Sequence, residues 1–161
     1  MAYADRVSSE TLRDTSRLSP PARLVVLTEV TESPLEVAVH TAAVDGETSG
    51  AVVSFAGVVR NHDGGRAVSS IEYAAHPTAA AVLARVVAEV TAASEAEAVA
   101  VSHRIGPLAV GEAALVVAVA GVHRAEAFAT TMALVDEVKR QLPVWKRQIF
   151  TDGTDEWVAC P

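Results

Sequence analysis

Cysteine is nearly missing from this sequence. The one residue of that type, Cys160, stands next to last, which excludes an intrachain disulfide framework and a cysteine-rich metal site and makes a reducing cytoplasm the expected setting. Positive charge is also short, with 13 Lys and Arg against 20 Asp and Glu for a formal charge of −7. Phosphate backbones are gripped by Lys and Arg, so no nucleic acid is expected as a partner, and any basic site has to be local. No uninterrupted apolar run approaches the roughly 20 residues of a membrane span, and the opening "MAYADRVSSETLRDTSRLSPPA" scatters charges where a secretory leader has its apolar stretch. The common nucleotide and nucleophile loops are missing as well. "GPLAVGEA" sets Gly106 and Gly111 at P-loop spacing, but Glu112 and Ala113 stand where that loop needs Lys and Ser or Thr, and there is no G-x-G-x-x-G or G-x-S-x-G. The five histidines, His40, His62, His76, His103 and His123, include no pair three or four residues apart, so no metal site is expected. His103, inside a strand pattern, reads as a core or interface residue.

What is present is the composition of a globular chain. Half of the 161 residues are hydrophobic, enough for one domain with its own core. Residues 1–22 are polar, end in Pro20-Pro21, and read as a flexible tail; the domain is expected over 23–161. "RLVVLTEV" is a short β-branched run and predicts a strand. Ser33 and Pro34 read as the cap and first residue of a helix, "PLEVAVHTAAV". "GAVVSFAGVVR" predicts the next strand, "NHDGG" a turn, and "AVSSIEYAAH" the returning strand. Pro77 opens a second helix with Val82, Val86 and Val90 on one side. "AVAVSHRIGPL" and "AALVVAVAGV" predict two more strands, and a third helix runs from about Arg124 to Leu142, stopped by Pro143. "VWKRQIF" then turns at "DGTDE" into "WVA". The resulting order predicts an α+β domain with three helices and a mostly antiparallel sheet.

The chemistry concentrates in "LVDEVKRQLPVWKRQIF", Leu134 to Phe150. At about 100° per residue, Phe128, Met132, Val135 and Leu142 form one stripe of the third helix, the face expected against the sheet, and Lys139 points with it. That lysine has two readings. Its stem can cover apolar surface while its charge suits the helix C-terminus; or it enters a partly desolvated pocket, where a lowered pKa suits a base or nucleophile. Lys146 follows the corner Pro143-Val144-Trp145. Alternation puts Val144, Lys146 and Gln148 on one face of the last long strand, and Trp145, Arg147 and Ile149 on the other. Read alone, Lys146 is as well explained as a solvated edge lysine. His123 and Arg124 open the third helix, whose first N–H groups and dipole favour an anion. Arg60 ends a strand beside "NHDGG", from where a guanidinium can fork onto an oxyanion.

Four segments together, "GAVVSFAGVVRNHDGG", "SHRIGPLAVGE", "GVHRAEAFATTMALVDEVKRQLPVWK" and "DGTDEW", resemble in order and spacing the large catalytic subunit of molybdopterin synthase, over roughly residues 23 to 158. The resemblance implies an α/β hammerhead fold and a central homodimer with a small ubiquitin-like sulfur carrier at each end. The carrier's C-terminal Gly-Gly thiocarboxylate enters a pocket and gives up sulfur, twice, to cyclic pyranopterin monophosphate, which opens the cyclic phosphate and makes the dithiolene of molybdopterin. No cofactor is implied. By the same resemblance Lys139 and Lys146 match the two active-site lysines, Lys139 for proton transfer or substrate activation and Lys146 for positioning the pterin and thiocarboxylate. Arg60, His123 and Arg124 match anion-binding residues, with His123 also a proton donor.

The chain departs from the family pattern at Ala74, where members often carry Glu; at His76, in place of an aromatic; and at Gln148, in place of a Glu after the W-K-K/R run. The "DGTDEW" turn is one residue longer than usual. Gln148 keeps a hydrogen-bonding group but removes a charge near Lys146. Two other functions stand beside the sulfurtransferase. One is a diverged, non-catalytic paralogue that binds the carrier or an anionic ligand. The other is a cyclic-phosphate hydrolase, disfavoured by the lack of a metal constellation in the sequence.

Overall fold

Two strands, β5 (Ala98–Arg104) and β7 (Ala113–Gly121), are buried along nearly their whole length, and their sequences show why. Valine and alanine alternate, so one face presents Val99, Val101, Leu115, Val117 and Val119 while the other presents Ala98, Ala100, Ala118 and Ala120. The bulky face packs against α2 (Ala79–Ala92) and α3 (Arg124–Gln141); the alanine face carries Val44, next to α1 (Val37–Ala43). Small side chains let that short helix approach the sheet closely. Strands β1 (Leu24–Thr31) and β2 (Ala51–Val58) complete the first sheet in the order β1-β5-β7-β2, with β1 parallel to β5 and the other pairs antiparallel.

The computed structural model describes residues 24–159. The tail expected over 1–22 and Cys160 lie outside the described residues. A second, antiparallel sheet is built on β4 (Arg66–Ala75), which pairs with β8 (Val144–Phe150) on one side and with β3 (His62–Asp63) and β6 (Gly106–Ala109) on the other; β9 (Asp155–Ala159) pairs with β8. Its own small core is Val59, Val68, Ile71, Leu108, Ala114 and Phe150, with Tyr73 against it. Three helices and mostly antiparallel strands match the expected α+β class.

Four details differ from the sequence expectation. The single strand expected over "AVAVSHRIGPL" breaks after Arg104, because Gly106 takes φ +82° and sends the chain from the first sheet into the second. "NHDGG" is a hairpin, not only a turn: Gly64 and Gly65, both at positive φ, join β3 to β4. Helix α1 starts at Val37, since the Ser33 N–H donates to Thr31 Oγ1 and so belongs to the preceding turn. The fourth difference bears on function. Phe128 and Met132 are 61% and 65% exposed, and the buried face of α3 is Ala127, Thr130, Thr131, Leu134 and Val138. Small residues bring the helix axis near the sheet, and Thr131 satisfies its hydroxyl on the Ala127 carbonyl, so a threonine sits on the core side at little cost.

Candidate active site

A cavity of about 390 Å³ lies where the end of β2, the second sheet and the C-terminal turn of α3 meet. Its apolar wall is Phe55, Val59, Ile71, Leu115, Val138 and Leu142, and three cations line it: Arg60, Lys139 and Lys146. Lys139 is exposed, on the flank of α3 rather than its buried face, and from there it reaches the cavity. Lys146 is half-buried on the β8 face it shares with Val144 and Gln148, as alternation predicts. The α3–β8 join is Leu142-Pro143, so both ammonium groups are placed by one rigid corner. Neither lysine has an ion pair or hydrogen bond among the described residues. In a cavity that is part apolar, two ammonium groups without a hydrogen-bonded counter-ion draw in an anion.

His123 and Arg124 do not join this set within one chain. They stand at the other end of α3, roughly 22 Å from Lys139 at about 1.5 Å per residue. The His123 side chain accepts from the Glu126 N–H while the Glu126 carboxylate accepts the His123 N–H at 2.7 Å. This reciprocal cap occupies two of the helix's first donors and holds the Glu126 carboxyl below the usual range, chiefly through the His123 N–H.

Sequence reasoning missed three wall residues. Asp63 accepts Arg60 Nη2 at 3.0 Å on Oδ1 and Gln148 Nε2 at 2.8 Å on Oδ2. The Gln148 bond, then the charges of Lys146, Arg60 and His62, hold its carboxyl below the usual range against the opposing effect of burial. Tyr73 meets His103 edge to face, ring centroids 5.2 Å apart. Burial pushes the His103 imidazole down to about 4, so it is neutral at pH 7, and its Nδ1 has no hydrogen-bond partner among the described residues. A sign of Asp63 was available in the sequence, an acid three residues after Arg60 across a tight turn. His103 carried no such sign. Among the described residues no three His, Cys, Asp or Glu side chains come together to hold a metal ion, and no helix is long and apolar enough to cross a membrane.

The arrangement suits chemistry in which negative charge develops on a substrate held between fixed cations. Comparison with known proteins narrows it. The sequence profile of the family described as "MoaE protein" matches residues 30–141. The molybdopterin synthase catalytic subunit of Nostoc sp. is 38% identical over 132 residues, 81% of this chain and 80% of that protein. Its counterpart from Bacillus subtilis is 34% identical over 132 residues, 81% of this chain and 83% of that protein. The crystal structure of molybdopterin synthase from Staphylococcus aureus superposes with a TM-score of 0.75 at 30% identity, covering 81% of this chain and 95% of that one.

Proposed function

We propose, from the premise that this chain belongs to the MoaE protein family of molybdopterin synthase catalytic subunits, that Lys139, Lys146 and Arg60 form its catalytic anion site. The activity is that of a sulfurtransferase in molybdenum cofactor biosynthesis. The relatives are named as one subunit of their enzyme, and the partner we assign is a small ubiquitin-like carrier whose C-terminal Gly-Gly thiocarboxylate supplies sulfur. The substrate is cyclic pyranopterin monophosphate. A cytoplasmic location accompanies this reading, in keeping with a chain of one cysteine.

The observation that carries the site is the pair of unpaired lysines flanking one cavity in a chain of net charge −7. The extended carrier tail enters the cavity and its thiocarboxylate sulfur attacks a carbon of the pterin side chain as that carbon's bond to a phosphate-ring oxygen breaks. Water then cleaves the acyl–sulfur bond, leaving the sulfur on the pterin and a carboxylate on the carrier. As the cyclic phosphate opens, charge gathers on oxygen. Lys146, fixed on β8, holds the thiocarboxylate and pterin in register. Lys139, on the last turn of α3, supplies a proton to the departing oxygen or activates the substrate. Arg60, paired with Asp63 through one nitrogen, keeps other N–H donors for the phosphate. Because His123 and Arg124 lie at the far end of α3, their share of the anion site comes from a second copy in a homodimer. Phe128 and Met132, exposed farther along the same helix, supply apolar surface of the kind an interface between copies needs.

The test is a reconstitution with purified protein, thiocarboxylated carrier and cyclic pyranopterin monophosphate, the product read as its fluorescent oxidised pterin. Wild type forms product; Lys139→Ala, with an unchanged melting profile, loses at least about a hundredfold. Undiminished activity in that variant removes Lys139 from the mechanism. No product from either protein, with carrier binding intact, returns the chain to the non-catalytic reading.

A further inference from the structure

Asp63 and Gln148, both on the cavity wall, remain without an assigned part. Gln148 is 2% exposed, and a buried amide has to find its partners inside the protein. This one sets its Nε2 between two carboxylates, 2.8 Å from Asp63 Oδ2 and 3.3 Å from Glu156 Oε1. The second Asp63 oxygen accepts Arg60 Nη2 at 3.0 Å. A run of contacts therefore leads from Glu156 through buried Gln148 and Asp63 to the rim, where the Arg60 side chain is 63% exposed. An ion pair at such exposure contributes little by itself, because two mobile side chains must be held in one geometry. Here the carboxylate is already fixed from behind, so only the guanidinium loses freedom. Of its five donors one is committed to Asp63, and others stay available for an oxyanion.

We propose that Asp63, anchored by the buried amide of Gln148, is the positioning residue that holds Arg60 at the cavity for the anionic substrate. This rests on the reading of Arg60 as an anion-binding residue. The device needs one carboxylate and one amide at positions 63 and 148. Gln148→Glu sets a third carboxylate against Asp63 and Glu156 and displaces Asp63 from its place. Asp63→Asn leaves two amides and removes the charge that Arg60 pairs with. Exchanging both lets the amide at position 63 donate to the carboxylate at 148 while its oxygen still accepts from Arg60.

The experiment is steady-state kinetics of the reconstituted reaction at varied cyclic pyranopterin monophosphate, for Asp63→Asn, Gln148→Glu, the double exchange, Arg60→Ala, and Arg60→Ala with Asp63→Asn. Each single exchange raises KM about tenfold with kcat within about threefold, a coupling typical of residues in one hydrogen-bonded network. The double exchange brings KM back to within about threefold of wild type, and Asp63→Asn adds nothing once Arg60 is gone. A merely structural role predicts equal losses in both backgrounds. If Arg60→Ala raises KM while the exchanges leave it unchanged, or if the folded double exchange is worse than either single one, the positioning role is wrong and the reading of Arg60 survives. If Arg60→Ala leaves KM unchanged, that reading falls and the positioning role with it. Asp63→Asn, at a partly exposed site, keeps the test open should Gln148→Glu fail to fold.

Discussion

His103 makes stability depend on pH between about 4 and 6.5. It is 6% exposed on β5, edge-on to Tyr73, and burial pushes its imidazole from 6.5 down to about 4, with a backbone bond at Arg104 opposing. Between those values the unfolded chain binds a proton that the folded chain refuses, so stability rises with pH across the window and is lost as pH falls through it. The full gap is on the order of 3 kcal/mol, at about 1.4 kcal/mol per unit; by pH 5 roughly 2 kcal/mol of it has gone. The shifted carboxyls, Asp63 and Glu112 among them, lie below ordinary values of 3.8 and 4.5, so their contributions are lost only in more acidic solution. In urea unfolding followed by tryptophan fluorescence, the wild-type midpoint falls by about 1 M between pH 7.5 and pH 5, for a slope near 2 kcal/mol/M. His103→Phe keeps a ring against Tyr73 and has nothing to titrate, so its midpoint falls much less. Equal losses in the two proteins would refute the assignment of the slope to a buried neutral histidine.

The orientation of α3 gives a second test. Leu134→Ala removes a side chain that is fully buried and costs about 2–5 kcal/mol, whereas Asp136→Ala, exposed on the same helix, stays within about 0.5 kcal/mol in the same urea assay. Gly50→Ala would bring a Cβ to 2.4 Å from the Val122 carbonyl oxygen, an overlap worth about 1–3 kcal/mol; a midpoint equal to wild type would show that the backbone yields there. If His123 and Arg124 serve the cavity of a second copy, co-purified Lys139→Ala and Arg124→Ala chains recover about a quarter of wild-type activity. Half of randomly mixed dimers are mixed, and each of these holds one intact site of two. No recovery in a mixture shown to exchange subunits would place Arg124 elsewhere.

Much of this architecture was legible in the sequence, for reasons that differ by element. The β5 and β7 runs were plain because strands buried on both faces are apolar throughout. The β8 alternation correctly put Lys146 with Val144 and Gln148, since a period of two leaves no choice of face. The face of α3 was misread because Phe128 and Met132 outweigh alanine and threonine on any hydrophobicity count, while packing against a sheet rewards small residues that let the helix close in. Lys139 reached the expected cavity nevertheless: Val135 and Leu142, which it was grouped with, border the buried face. The break at Gly106 was invisible because glycine inside a strand pattern does not announce its φ. Asp63, inside a turn, was read for its backbone tolerance and not for its carboxylate, and what it touches comes from 85 residues away, at Gln148.

Helix α3 passes into β8 through Leu142 and Pro143 alone, and a join that short has no slack to take up an inserted residue. One residue added in the last turn would swing every preceding side chain through about 100° relative to the strand. The separation of the two lysines is therefore counted off by chain length, like marks on a ruler. Widening the cavity for a bulkier substrate has to come from the Arg60 side, where Gly64 and Gly65 give the backbone room to lengthen.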